Sequence, residues 1–171
     1  WKYEWFKVDS SNNSTSIAQF DSILVVGDTI INGHSFKHVE EHSYFHPSTI
    51  NNFYRDSSGY LIRNNGHIVY SGASYHATLD ISTQNSSIIY SIAMPLYNYT
   101  VPAGTFVSLK RTEQHHYNIN GQPYSPCSNH YVSRSLYDSQ IGLISSFIAY
   151  TFEVQQNCSY FERKLVDYSI Q

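Results

Sequence analysis

The stretch that decides the fold runs Ser22-Ile-Leu-Val-Val-Gly-Asp-Thr-Ile-Ile-Asn-Gly-His-Ser-Phe-Lys-His-Val-Glu40. Two runs rich in β-branched and aromatic residues flank Asn32-Gly33. Asn-Gly between extended runs is a hairpin signal, because a type I′ turn needs positive φ at both central residues. The same pattern recurs downstream. Asp56-Ser57-Ser58-Gly59 separates Asn52–Arg55 from Tyr60–Arg63, and Asn65-Gly66 leads into His67–Tyr70. Successive turn signals of this kind predict a meander of antiparallel strands.

Working outward, Trp1, Tyr3 and Trp5 alternate and predict an opening strand with an aromatic face. Ile88, Tyr90, Ile92, Met94 and Leu96 form a period-two stripe that ends beyond Pro95. Val101–Phe106 reads as a turn feeding a strand over Val107–Arg111, and Asn118–Ser128 as a polar loop. Ile141–Phe152 is apolar on both parities, which suits a strand covered on both faces or a short buried helix; Ser145, Ser146 and Thr151 favour strand. Gly142 there suits a bulge or a close backbone approach. Tyr160–Ile170 is the last strand. About nine to eleven strands result, and a sheet that long must curl, close or stack. The expected fold is all-β and mainly antiparallel. A curved meander would form a half-open or closed barrel, with at most one or two short helices. The best place for a helix is Ser43–Phe53, with Pro47 near its start.

Composition agrees. Val, Ile, Thr, Tyr, Phe and Trp number 62 of 171 residues, against 15 for Ala, Leu and Met, so strand formers outnumber helix formers. The length predicts one β domain over residues 1–171. Charged residues are only 13% and the formal net charge is -3, so no basic stripe exists to neutralise phosphates and nucleic acid is not an expected partner. No apolar run reaches the length of a transmembrane helix.

The chain starts at Trp1 without a signal peptide, as expected of a mature protein whose export signal has been removed. Cys127 and Cys158 lack the spacing of a zinc or redox motif. A disulfide between them would close a loop of about 31 residues and contribute roughly 3–4 kcal/mol; the alternative is two separate thiols. Low charge, high Tyr and Asn content and few Lys predict an extracytoplasmic location (periplasm, outer-membrane anchor or secretion), and that setting favours the disulfide. Glycosylation sequons at Asn12, Asn13, Asn85, Asn98 and Asn157 follow from the high Asn and Ser content.

Several phrases occur in a telling order: Gly27–Gly33, Tyr54–Tyr60, Val101–Phe106, Ile141–Ile144 and Glu162–Tyr168. Together they resemble uncharacterised secreted proteins and lipoproteins of Bacteroidetes-type bacteria. They are also similar to periplasmic β proteins whose curved antiparallel sheet looks like the half-barrel of lipoprotein carriers. The resemblance implies an envelope or extracellular location and a curved sheet. It implies no catalytic residues.

Three sets of side chains are candidates for chemistry. His34, His38, His42 and His46 recur every four residues. Imidazoles suit zinc, copper or nickel, but residues four apart on a strand stand about 13 Å apart, too far for one ion. A solvated strand face is the expected reading, with no metal and no cofactor, and His115-His116 is read as surface. Glu40 and Glu41 point to opposite faces of a strand and cannot act on one bond. No serine elbow, phosphate loop or dinucleotide fingerprint is present. The tyrosines remain. Tyr54, Tyr60, Tyr70, Tyr75, Tyr97 and Tyr99 are expected either to line a concave sheet that binds a sugar ring or a lipid, or to form cross-strand pairs. The expected function is therefore a non-enzymatic envelope or secreted binding domain holding a hydrophobic or amphipathic ligand. A structural or adhesion module is the alternative, and a hydrolase with an unrecognised site the third.

Overall fold

A computed structural model describes residues 1–72, 77–82, 87–93, 98–107, 109–116, 132–148 and 159–169. The described residues contain fourteen strands and no helix. The first six are β1 (Lys2–Val8), β2 (Ser14–Ile31), β3 (His34–Ser43), β4 (His46–Ser57), β5 (Tyr60–Arg63) and β6 (Ile68–Ser71). Next come β7 (Ala77–Ser82), β8 (Ser87–Ala93), β9 (Tyr99–Val101) and β10 (Gly104–Phe106). The last are β11 (Lys110–His116), β12 (Val132–Asp138), β13 (Gly142–Ile148) and β14 (Tyr160–Asp167).

Twelve of them form one sheet in the order β6-β5-β4-β3-β2-β1-β14-β13-β12-β11-β8-β7, and β9 and β10 form a separate hairpin. Every ladder is antiparallel. The ten strands from β6 round to β11 curl into a barrel that is nearly closed, with one unsealed seam. Across the seam, side chains replace the ladder. Thr112 Oγ1 donates to the Val69 carbonyl at 3.3 Å and Lys110 Nζ to the Gly72 carbonyl at 2.9 Å. The Tyr70 ring packs on Tyr137 with centroids 4.9 Å apart.

The predicted turns are where the sequence places them. Asn32 and Gly33 have φ of 49° and 77°, and Ile31 pairs with His34. Ser58 and Gly59 turn β4 into β5 with φ of 57° and 82°. Gly142 sits at φ 91°, in the left-handed region that favours glycine, and the β12–β13 register slips beside it.

Three expectations are corrected. The helix over Ser43–Phe53 is absent: Tyr44-Phe45 is a tight turn and His46–Ser57 is a strand. Thr49, Ile50 and Phe53 favour a pleated surface, and Pro47 costs no ladder bond, because the pairing jumps from Glu41↔Ile50 to Ser43↔His46. The strand expected over Val107–Arg111 begins only at Lys110, and Leu109 ahead of it packs fully buried in the core beside the β9–β10 hairpin. Strands are also more numerous than nine to eleven, since β7, β9, β10 and β12 arise in stretches that carry no clear strand pattern in the sequence. Cys127 and Cys158 lie outside the described residues.

The core gathers where β14 outruns β13. The β13–β14 ladder stops at Ser145↔Lys164, and the next carbonyl, that of Leu165, accepts the Ala103 N–H at 3.0 Å. The β9–β10 hairpin is fastened by that bond. Val101, Phe106 and Leu109 then join Tyr3, Ile144 and Leu165 in one buried cluster. Nearby, Trp5 is 1% exposed and meets Phe45 edge-on at 4.8 Å, and Phe45 in turn touches Phe161 at 5.7 Å. The Tyr44-Phe45 turn thus packs over the aromatic face of β1.

Candidate functional site

The inner face of the barrel lines a cavity of about 700 Å³ that is partly open to solvent. This is within the size range of small-molecule sites. Its apolar wall includes Ile23, Val25, Val39, Leu61, Ile68 and Leu143. Period-two alternation puts these residues inside. On β2, Ile23 and Val25 face in while Leu24 and Val26 face out at 55% and 48% exposure.

Charged residues share that inner face. Arg163 lies between Phe161 and Leu165 on the same parity of β14, and its side chain is 13% exposed. Its Nη1 donates to Asp21 Oδ2 at 3.1 Å and to Glu41 Oε1, its Nε donates to Ser146 Oγ at 2.8 Å, and the guanidinium stands 5.2 Å from the Tyr3 ring centroid. Asp21 is fully buried and is held further by the Tyr44 N–H at 2.7 Å and the Ser43 hydroxyl at 3.2 Å. Burial opposes the Arg163 charge, but Glu41 and Asp21 outweigh it and raise the guanidinium above its ordinary value. Tyr3 Oη donates to the Leu143 carbonyl at 3.0 Å, and burial pushes its phenol well above the usual range, partly offset by Arg163.

Across the cavity, Lys37, Tyr54 and Arg63 are register neighbours on β3, β4 and β5. The Arg63 guanidinium stands 5.7 Å from the Tyr54 ring centroid. Its Nη2 donates to Tyr54 Oη at a long 3.4 Å, and its Nε is buried without a hydrogen-bond partner among the described residues. Tyr137 also lines the cavity. Burial raises its phenol to about 12, with Tyr54 contributing in the same direction.

The predicted tyrosines separate. Tyr54 is in the cavity wall. Tyr70 stands behind Tyr137 at the seam, and Tyr60 pairs with Ser57 and Ser71 at the β4–β5 turn. Tyr99 is on the β9–β10 hairpin and donates to Glu162 Oε1, which also accepts the Ser145 hydroxyl at 2.6 Å; burial and then Glu162 raise the Tyr99 phenol. Tyr75 and Tyr97 lie outside the described residues.

The histidines sit in other company. His38 stacks on Phe53 at 4.8 Å and meets Asn51 Oδ1 at 2.8 Å, His42 Nε2 is 3.9 Å from Glu40, and His34 is 3.5 Å from Arg55. Among the described residues no group of three His, Cys, Asp or Glu side chains is placed to hold a metal ion. Glu41 faces the cavity, whereas Glu40 shares the side of His42. The sequence reading missed Arg63, Arg163, Asp21 and Tyr137, and weighed Glu41 only as a partner of Glu40. The available signal was parity: Arg163 between Phe161 and Leu165, Asp21 ahead of Ile23 and Val25, Glu41 after Val39.

Comparison with known protein families, with curated proteins and with solved structures finds no match.

Proposed function

We propose that this chain is a non-enzymatic binding domain of the cell envelope or extracellular space, and that it holds an amphipathic small molecule inside the barrel. The cavity carries the reading: about 700 Å³, with an apolar wall and a few charged groups at fixed places. Low charge content and high aromatic content support the extracytoplasmic setting. Native mass spectrometry of gently purified protein, with dodecanol added in excess, tests the binding. A one-to-one complex, or a co-purified small molecule of defined mass, is expected. A protein that stays empty under both conditions refutes the reading.

A second reading, a module for protein contacts, has one observation in its favour. The outer side of β2 exposes Phe20, Leu24 and Val26, and Ile30 further along the strand is 78% exposed. Sedimentation at rising concentration tests it for self-association: a dimer that L24K dissociates supports it, and a monomer throughout argues against it.

A further inference from the structure

We infer that Arg63 anchors the head group of the molecule held in the barrel, and that this molecule is an anionic amphiphile with a carboxylate head. The inference rests on the binding reading above and deepens it.

The cations around the cavity are not equivalent. Arg163 is matched by Asp21 and Glu41. Lys37 is paired with Asp28 at 2.6 Å and is 62% exposed. Arg55 stands over the Phe36 ring at 5.7 Å, beside His34. On the outer surface Arg111, whose Nε also lacks a hydrogen bond, lies 3.0 Å from the Glu113 carboxylate. Arg55 too has no carboxylate partner among the described residues, and only Arg63 combines that lack with a buried Nε–H that finds no acceptor. The one side-chain hydrogen bond of Arg63 is the long one to Tyr54. Asp56 is on the same wall, but its Oδ1 accepts the Gly59 N–H at 3.3 Å and makes no ion pair with Arg63.

A partly buried guanidinium without an acceptor anion is costly unless something supplies one. A carboxylate fits best, because the planar fork of a guanidinium matches its two oxygens. The rest of the cavity sets the polarity of binding. Arg163 with Asp21 and Glu41 carries one formal positive and two formal negative charges. That pole repels an anion, while Arg63 at the other end of the wall attracts it, the charge of Lys37 beside it being already matched by Asp28. Lys37 and Glu41 are four residues apart on β3, so the two poles are separated by about 13 Å along the strand. Apolar Ile23, Val39 and Leu61 lie in the wall shared by both. An alkyl chain extends along that wall with its carboxylate at Arg63.

The test compares two probes with one tail, bromododecanoate and bromododecanol, by quenching of Trp1, which lines the cavity. Trp5→Phe removes the second tryptophan of this chain and leaves Trp1 as the reporter. The acid is expected to bind at least about tenfold more tightly than the alcohol, as a charge-assisted pair over a neutral one implies. Raised salt should shrink that preference, which needs no variant at Arg63. R63M should bind the two probes equally, and R63K should keep part of the preference. Equal binding of acid and alcohol by the protein with Arg63 intact overturns the anion assignment and leaves the binding reading in place. A preference that survives in folded R63M moves the anion site away from Arg63. Binding of neither probe defeats the reading beneath.

Discussion

Two arginines face the same cavity, and their surroundings are opposite. Around Arg163 the barrel is tight: β1 and β14 run side by side, the Tyr44-Phe45 turn packs on Trp5, and Asp21, Glu41, Ser146 and Tyr3 all meet the guanidinium. Around Arg63 the barrel is loose. The strands are four residues long, the seam runs beside them, and the guanidinium meets one tyrosine. The difference teaches that a charge inside a β barrel is not by itself a sign of function. A cation surrounded by its own carboxylates fastens strands together, and one left short of acceptors is available to a ligand.

The largest effect expected is at the matched site. Replacing Arg163 by Met strands Asp21 and Glu41 in the interior and should cost about 3–5 kcal/mol in urea unfolding. Arg63→Met removes a charge with no anion to strand, so stability should change by less than about 1 kcal/mol. Equal losses in the two variants would erase the contrast between the regions.

Core packing sharpens the same contrast. Leu165 is fully buried between Tyr3 and the β9–β10 hairpin, so Leu165→Ala should cost about 2–5 kcal/mol in the same assay. Leu61, half-buried in the loose wall, should cost less when truncated.

Alkali probes the seam. Tyr137 has its phenol raised to about 12 by burial. The folded state therefore holds the phenol neutral while the unfolded chain ionises near the ordinary value of about 10. Its contribution is fully present below pH 10 and is lost as pH rises toward 12, by up to about 3 kcal/mol. Tyr137→Phe should flatten the fall in stability over that window. An unchanged slope would place the loss on other groups.

The smallest effect expected is local opening. Amides of β5 and β6 should exchange with solvent faster than those of β1 and β14, because short strands beside a seam open without the rest of the sheet. Equal protection would mean that the seam bonds from Thr112 and Lys110 hold as well as a ladder.

Much of this fold is legible in the sequence because turns carry their own chemistry. Asn32, Gly33 and Gly59 adopt the positive φ their residue types permit. The alternation of Trp1, Tyr3 and Trp5 likewise reports a face that is buried. The helix expected at Ser43–Phe53 shows the limit. Pro47 suits a helix start and also a β irregularity, and only the pairing with β3 decides between them. The site was less legible still. Residue type drew attention to tyrosines, yet Tyr54 alone of the four described ones lines the cavity. Arg63 and Arg163 are both arginines on inward parity, and what separates them is partners some 20 and more than 100 residues away in the chain or, for Arg63, their absence among the described residues. Long-range pairing of that kind leaves no local mark.

The most direct measurement is a crystal structure of the protein grown with bromododecanoate, with bromine located by anomalous scattering. The account predicts bromine inside the barrel, against the wall formed by Ile23 and Val39, with the carboxylate on Arg63. Bromine found only on the outer side of β2, or an empty barrel at saturating ligand, would contradict it.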